Sequence, residues 1–397
     1  MGLMNRNSTL QEAAHAPTIA PGQRILMPTC RNFTRRAFRC GLYEAQDVLV
    51  DIDNVDLICL EQGWGARVNQ SWLRLPLYHD ISRKLMFVNP GLQRVRLTRE
   101  YDLFVAIFQD YRELPYINAI DGWRNHCKTS VCWIDEIWAA EIPGYKYWLH
   151  ALSQFDYVFI GCRGSVATLA NAINRPCHWL PGAADMLRFS PYPNPPARVI
   201  DVYSIGRRWE GVHRALLRAA TAREIFYVYD TFAGNNTEVY DHQQHRNLFA
   251  NVAKRSRYFT VAPGKMDDQA THGQVEVGYR YFEGVAAGTV MIGQPPNCEA
   301  FGELFDWPDV VMPIQPDGSD VITVLNDLDS DPTRVSAISR RNAVEALLRH
   351  DWIYRWKEMF RVVGIEPPAR MTAREQRLKD LADLASNDTE NEVSTLP

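Results

Sequence analysis

Apolar residues along this chain recur at two spacings, and the switches between them lay out its elements. Arg24-Ile-Leu-Met-Pro, Tyr101-Asp-Leu-Phe-Val-Ala-Ile-Phe, Ser130-Val-Cys-Trp-Ile and Asp156-Tyr-Val-Phe-Ile-Gly are short apolar runs, which predict strands. Asp47 to Leu60 predicts one or two more, broken at Asp53-Asn54. Between these runs the spacing turns helical, over Tyr145 to Ser153 and over the segment carrying Val166, Leu169, Ala170 and Ile173. The alternation resumes further on. Strands are predicted at Ile200–Ile205, Glu224–Tyr229 and Tyr258–Ala262, and helices at Gly211–Ala220 and Leu248–Lys254. Alternating β and α units imply parallel sheets with helices packed on them. The proline-rich Pro191-Tyr-Pro-Asn-Pro-Pro separates the two sets, so the expected fold class is α/β with two Rossmann-like domains facing each other across a cleft.

The expected layout is a loose leader over 1–21, a first domain over 22–193, a second over 194–350, a closing helix over 351–367 and a disordered or frayed tail over 368–397. The closing helix would carry Trp352, Trp356, Met359 and Val363 on one side, while the tail is charged and weakly periodic. At 397 residues the chain is long enough for two cores. A formal charge of -4 and a pI near 6.2 give no general attraction to nucleic acid or anionic lipid. No apolar run reaches the roughly 20 residues of a membrane span, so a cytoplasmic location is expected. Peripheral membrane association stays open. The eight cysteines are scattered without zinc spacing and read as reduced and mostly buried.

The segment Glu276 to Met291 carries the most chemical information. Phe282, Val285 and Ala286 fall at i, i+3 and i+4 and make one buried helical face, which leaves Glu283 pointing elsewhere. Gly288 then takes the left-handed stop before a strand opened by Thr289. The pattern R-x-F-E-x-x-A-x-G-T from Arg280 to Thr289 resembles the C-terminal half of GT-B-type glycosyltransferases, especially the group related to the spore maturation protein CgeB. Asp201-Val-Tyr-Ser-Ile-Gly-Arg-Arg, Pro181-Gly-Ala-Ala-Asp-Met-Leu-Arg-Phe-Ser-Pro and His350-Asp-Trp-Ile-Tyr-Arg-Trp-Lys extend the likeness over about residues 155–363. The first 150 residues match only loosely.

That resemblance implies transfer of a sugar from a nucleotide diphosphate sugar to an acceptor hydroxyl, in polysaccharide or glycoconjugate synthesis. The acceptor would be a glycan, a lipid-linked molecule or a small molecule. Two alternatives share the architecture: a nucleotide-sugar epimerase and a non-catalytic nucleotide-sugar-binding protein. The family's second glutamate, which holds the donor ribose, maps onto Glu283. Its first maps onto Val275, one place from Glu276, so a retaining outcome is not implied.

Other candidates follow from position. A leaving diphosphate needs positive charge or oriented amides, and Gly206, Arg207 and Arg208 follow a strand end where a turn supplies both. Lys265 follows another strand end, and Arg280 stands three residues before Glu283. Gly288 and Thr289 complete the expected donor set. Asp135 and Glu136 follow the Val131–Ile134 strand and are the candidates for general base. Asp185 would position the acceptor or hold a turn, and Ser165 would cap a helix. Trp64, Trp123, Trp133 and Trp138 supply either sugar-stacking faces or core. Asp51-Ile-Asp53 matches a D-x-D metal pattern, but it lies far from every donor-like residue, and no essential metal is expected.

Overall fold

The computed structural model describes residues 22–63, 86–231, 237–266 and 269–387. The leader over 1–21, Trp64 and residues 388–397 lie outside the described residues.

The first sheet contains β1 (Ile25–Thr29), β2 (Val55–Cys59), β3 (Tyr101–Phe108), β4 (Cys127–Ile134), β5 (Tyr157–Ile160) and β6 (Cys177–Trp179), in the spatial order β2-β1-β3-β4-β5-β6. Every pairing is parallel; β3 and β4 share the longest ladder, from Tyr101 opposite Cys127 to Phe108 opposite Ile134. The second sheet contains β7 (Ile200–Ser204), β8 (Tyr227–Tyr229), β9 (Ser256–Val261), β10 (Val290–Gly293) and β11 (Val311–Pro313), all parallel, in the order β8-β7-β9-β10-β11. The order reverses between β1 and β3 in one sheet and between β7 and β9 in the other. In open parallel sheets such a reversal leaves a crevice at the carboxyl ends of the strands, where ligands sit.

The helices include α1 (Cys40–Ile52), α2 (Val166–Ile173), α3 (Met186–Phe189), α4 (Glu210–Thr221), α5 (His242–Lys254), α6 (Tyr279–Ala286), α7 (Glu299–Leu304), α8 (Val321–Asp329), α9 (Pro332–Arg349), α10 (Trp352–Val363) and α11 (Ala369–Asn387), and a short helical turn at Lys146–Leu149 stands where a helix over Tyr145 to Ser153 was expected. Two sequence expectations fail here. Asp47 to Ile52 is the end of α1 and not a strand, because Leu42, Ala45, Val48, Leu49 and Ile52 recur at helical spacing and are all buried. The expected frayed tail is a helix over 369–387, since Met371, Leu378, Ala382 and Ala385 bury themselves against the body. That packing supplies what its polar sequence lacks on its own.

Helix α10 crosses back onto the first domain. Trp352 Nε1 donates to Glu44 Oε1 at 3.1 Å and Trp356 Nε1 to the Ala45 carbonyl at 3.0 Å, both on α1. Trp133 of β4 packs edge-on against both indoles. Asp351 caps α10 through the Ile353 N–H at 2.9 Å, and His350 is buried with its Nε2 against the Leu304 carbonyl. Asp53 pairs with Arg24 at 2.6 Å while Asp51 is exposed, and no cluster of metal-ligating side chains occurs among the described residues. All eight cysteines are free, five of them buried. Among the described residues no helix is long and apolar enough to cross a membrane.

Candidate active site

Two groups of side chains meet at the carboxyl ends of the sheets. On the second domain, Gly206 turns the chain after β7 with φ +78°, a conformation in which a side chain would be strained. A Cβ there would also meet Arg280 Nη2 at 3.3 Å. The Gly206 N–H donates to Asp230 Oδ2 at 2.8 Å, and Arg208 donates to Asp230 Oδ1 at 2.8 Å and to its carbonyl at 2.9 Å. Arg208 therefore fixes the turn. Arg207 is exposed and makes no ion pair among the described residues, which leaves it the cation available to a ligand. The adjoining crevice is narrow and is lined by Ser204, Arg207, Trp209, Thr260, Ala262 and Ile292 among others. It lies at the β7/β9 reversal.

Glu283 sits differently from expectation. It is 1 % exposed, and its two carboxylate oxygens pair with Arg246 and Arg280 respectively. Burial alone would raise its pKa, but the two guanidiniums outweigh burial and hold it below the usual range. A buried carboxylate so occupied is not presented to a ribose. It orients Arg280, whose Nε donates to the Ile205 carbonyl at 3.2 Å beside Gly206. Arg246 in turn donates to both oxygens of Glu44 on α1, at 2.7 and 2.9 Å, and Glu44 is itself fully buried. A chain of buried charges thus runs from the donor-side turn into the first domain.

Gly288 and Thr289 stand at the far end of the sheet and belong to the scaffold, correcting their expected donor role. Gly288 has φ +60° and its carbonyl accepts from Arg198 at 2.7 Å. Thr289 is fully buried and donates to the Gly284 carbonyl at 2.9 Å, before β10 even begins.

On the first domain, Asp135 and Glu136 follow β4 as anticipated. Tyr279, at the start of α6, donates to Asp135 Oδ1 at 2.6 Å, and Gln109 Nε2 donates to Asp135 Oδ2 at 2.9 Å. Burial pushes the Asp135 carboxyl up to about 7, and the Glu136 charge adds to it, against the two hydrogen bonds that favour the ionised form. Glu136 pairs with Lys265 across the cleft and accepts from Trp138 Nε1 at 3.0 Å. The fold thereby joins Lys265 to the base candidates. Trp123, Trp133 and Trp138 are all buried, and Trp138 packs beside Glu136 and Lys265.

Glu276 occupies a third position. It accepts from the backbone N–H groups of Arg163 at 3.1 Å and Gly164 at 2.9 Å, so it caps the turn leading into α2 from the other domain. Ser165 does not make the cap; its hydroxyl donates to the Ile137 carbonyl at 2.5 Å. Asp185 pairs with Arg374 at 2.6 Å and holds the domain exit. Replacing Glu276 with glutamine removes the charge from this cap, and the expected loss is about 1 kcal/mol in a urea titration. No loss would show that the contact adds nothing to cohesion between the domains.

Sequence reasoning missed Glu44, Arg246, Gln109 and Tyr279. Their types are unremarkable where they stand, and only long-range packing gathers them.

Residues 200–361 match the sequence model of the glycosyl transferase-like family. Similar solved structures include an alpha-glucosyltransferase in complex with UDP and a 13-mer DNA containing a central A:G mismatch, at 12% identity and TM-score 0.53 over 86% of this chain and 99% of that one. An alpha-glucosyltransferase with UDP and a 13-mer DNA containing a HMU base gives 11% identity and TM-score 0.51 over the same shares. The N-terminal domain of Candida albicans trehalose-6-phosphate phosphatase gives 7% and 0.50, over 87% of this chain and 97% of that chain. No curated protein matches the chain. At these identities the structural likeness carries the fold alone. The fold is GT-B, and the resemblance to GT-B-type glycosyltransferases holds in fold over both domains and in sequence over the second.

Proposed function

We propose that the chain is a glycosyltransferase that binds a nucleoside diphosphate sugar at the Gly206 turn and transfers the sugar to an acceptor hydroxyl held by the first domain. The observation that carries this reading is the convergence of Asp135, Glu136 and Lys265 at one mouth of the cleft, with Arg207 and Arg280 beside the pocket at the β7/β9 reversal. Arg207, Arg280 and the turn amides would meet the diphosphate as its charge grows. Lys265 would leave Glu136 for the same charge. Asp135, with its raised pKa, would take the acceptor proton near neutral pH. Tyr279 and Gln109 would aim its carboxylate.

UDP is the donor nucleotide to try first, since solved alpha-glucosyltransferases of this fold hold it. Assembly of a polysaccharide or glycoconjugate, a CgeB-like subtype, metal-independent transfer and a cytoplasmic setting belong to this proposal.

Thermal unfolding with UDP, GDP, dTDP and CMP sugars, with and without EDTA, tests it. At a ligand concentration of 100 Kd, binding stabilises the fold by about 2.7 kcal/mol, a rise of a few degrees in Tm. One nucleotide should raise Tm in the wild type irrespective of chelator, and by much less in Arg207→Ala. A shift in none of them, from folded protein, would refute the donor site.

A further inference from the structure

A second concave surface lies outside the cleft, on the side where α1, α3, α5 and α11 meet. It is a groove of about 620 Å³ lined by Asp51, Asp185, Arg188, Asn247, Arg370, Arg374 and Arg377 among others. Four guanidiniums face two carboxylates in a protein whose net charge is negative. Arg370, Arg374 and Arg377 stand at i, i+4 and i+7 of α11, on one helical face. Like charges at that spacing oppose one another, so the face is unfavourable unless anions meet it.

Only part of that positive charge is met from within. Arg374 is consumed by Asp185 at 2.6 Å and Asp351 at 2.7 Å. Arg370 donates to the Asp51 carbonyl at 3.3 Å and to Asn54 Oδ1 at 2.6 Å, both uncharged acceptors. Arg188 reaches Glu44 and Asp185 only at 3.5 and 3.6 Å. Arg377 is exposed and pairs with no carboxylate among the described residues. Asn247 adds a neutral amide on the opposite wall, from α5 of the second domain.

We propose that this groove binds a small molecule carrying two or more phosphate groups. Guanidinium forks match phosphate oxygens bidentately, whereas a single carboxylate would leave one fork empty. Arg370 and Arg377 are spaced roughly 10 Å along the helix axis, a span that one phosphate does not cover. The groove walls come from both domains, so an occupant would bind them together and favour one relative arrangement of them. This site is independent of the donor pocket, which lies at the carboxyl ends of the strands.

Calorimetric titration of the full chain with inorganic tripolyphosphate tests the proposal. Wild type should bind, more weakly as salt is raised. Arg377→Glu should weaken the groove component of binding at least tenfold and Arg377→Ala severalfold, and both losses should persist in an Arg207→Ala background, which removes any phosphate bound at the donor turn. Arg377 is exposed, so both groove variants should keep the wild-type Tm without ligand. No binding by wild type, or binding lost in Arg207→Ala and kept in Arg377→Glu, would overturn it. Association with phosphatidate vesicles in the absence of tripolyphosphate binding would also overturn it, in favour of a membrane contact.

Discussion

Replacing Arg246 with methionine should lower the unfolding free energy by about 3–5 kcal/mol, the usual result of removing one partner from a buried ion pair. Arg246 is 2 % exposed and is shared by Glu44, which is fully buried, and Glu283, at 1 %. Its guanidinium also lies over the Phe189 and Phe249 rings, at 4.7 and 5.5 Å. Methionine keeps much of that packing and removes the charge, which leaves two buried carboxylates facing only Arg280, Arg188 and neutral donors. Urea unfolding at constant m-value measures the loss. Adding Glu283→Gln to Arg246→Met should restore part of it, because one stranded charge is then gone. A loss under about 1 kcal/mol, the range of exposed pairs, would mean that water reaches the network and that the two domains are not joined through it. The same network makes Glu283 a poor probe of donor binding, since Glu283→Ala would disturb the fold as well as the site.

Asp135→Asn should reduce sugar transfer by about 10²–10⁴, the range for a positioned general base, while leaving the donor-induced rise in Tm intact. The pH dependence separates this role from simple scaffolding. With the carboxyl raised to about 7, transfer by wild type should climb through that pH as the base ionises, and the variant should lose this limb. Stability should run the opposite way. The folded state holds the Asp135 proton up to about pH 7, whereas the unfolded chain releases it near 3.8, so Asp135 makes the fold less stable as pH rises between these values. The asparagine variant should lack that slope. Transfer that rises through neutrality unchanged in Asp135→Asn would place the base elsewhere, with Glu136 the neighbour to try next.

The placement of much of the candidate site was readable from the chain because strand ends in parallel α/β sheets converge on one side. Asp135 and Glu136 after β4, Gly206 to Arg208 after β7 and Lys265 after β9 are each local consequences of a strand stopping at a turn. Gly288 and Thr289 misled for the same local reason. They belong to a pattern shared with donor-binding proteins, but they precede β10 and so lie at the amino end of the sheet.

The sequence by itself determined the alternation of strands and helices, the parallel sheets and the left-handed stop at Gly288, because these depend on residue spacing and on backbone freedom at single positions. Only the tertiary structure decided what each charge does. Glu283 is buried between two arginines, Glu276 caps a helix of the other domain, Arg208 holds its own turn, and the polar segment 369–387 is a packed helix. Partners such as Glu44 and Arg246 stand 202 positions apart along the chain. The free energy of a charge depends on what surrounds it in space, and spacing along the chain does not encode that.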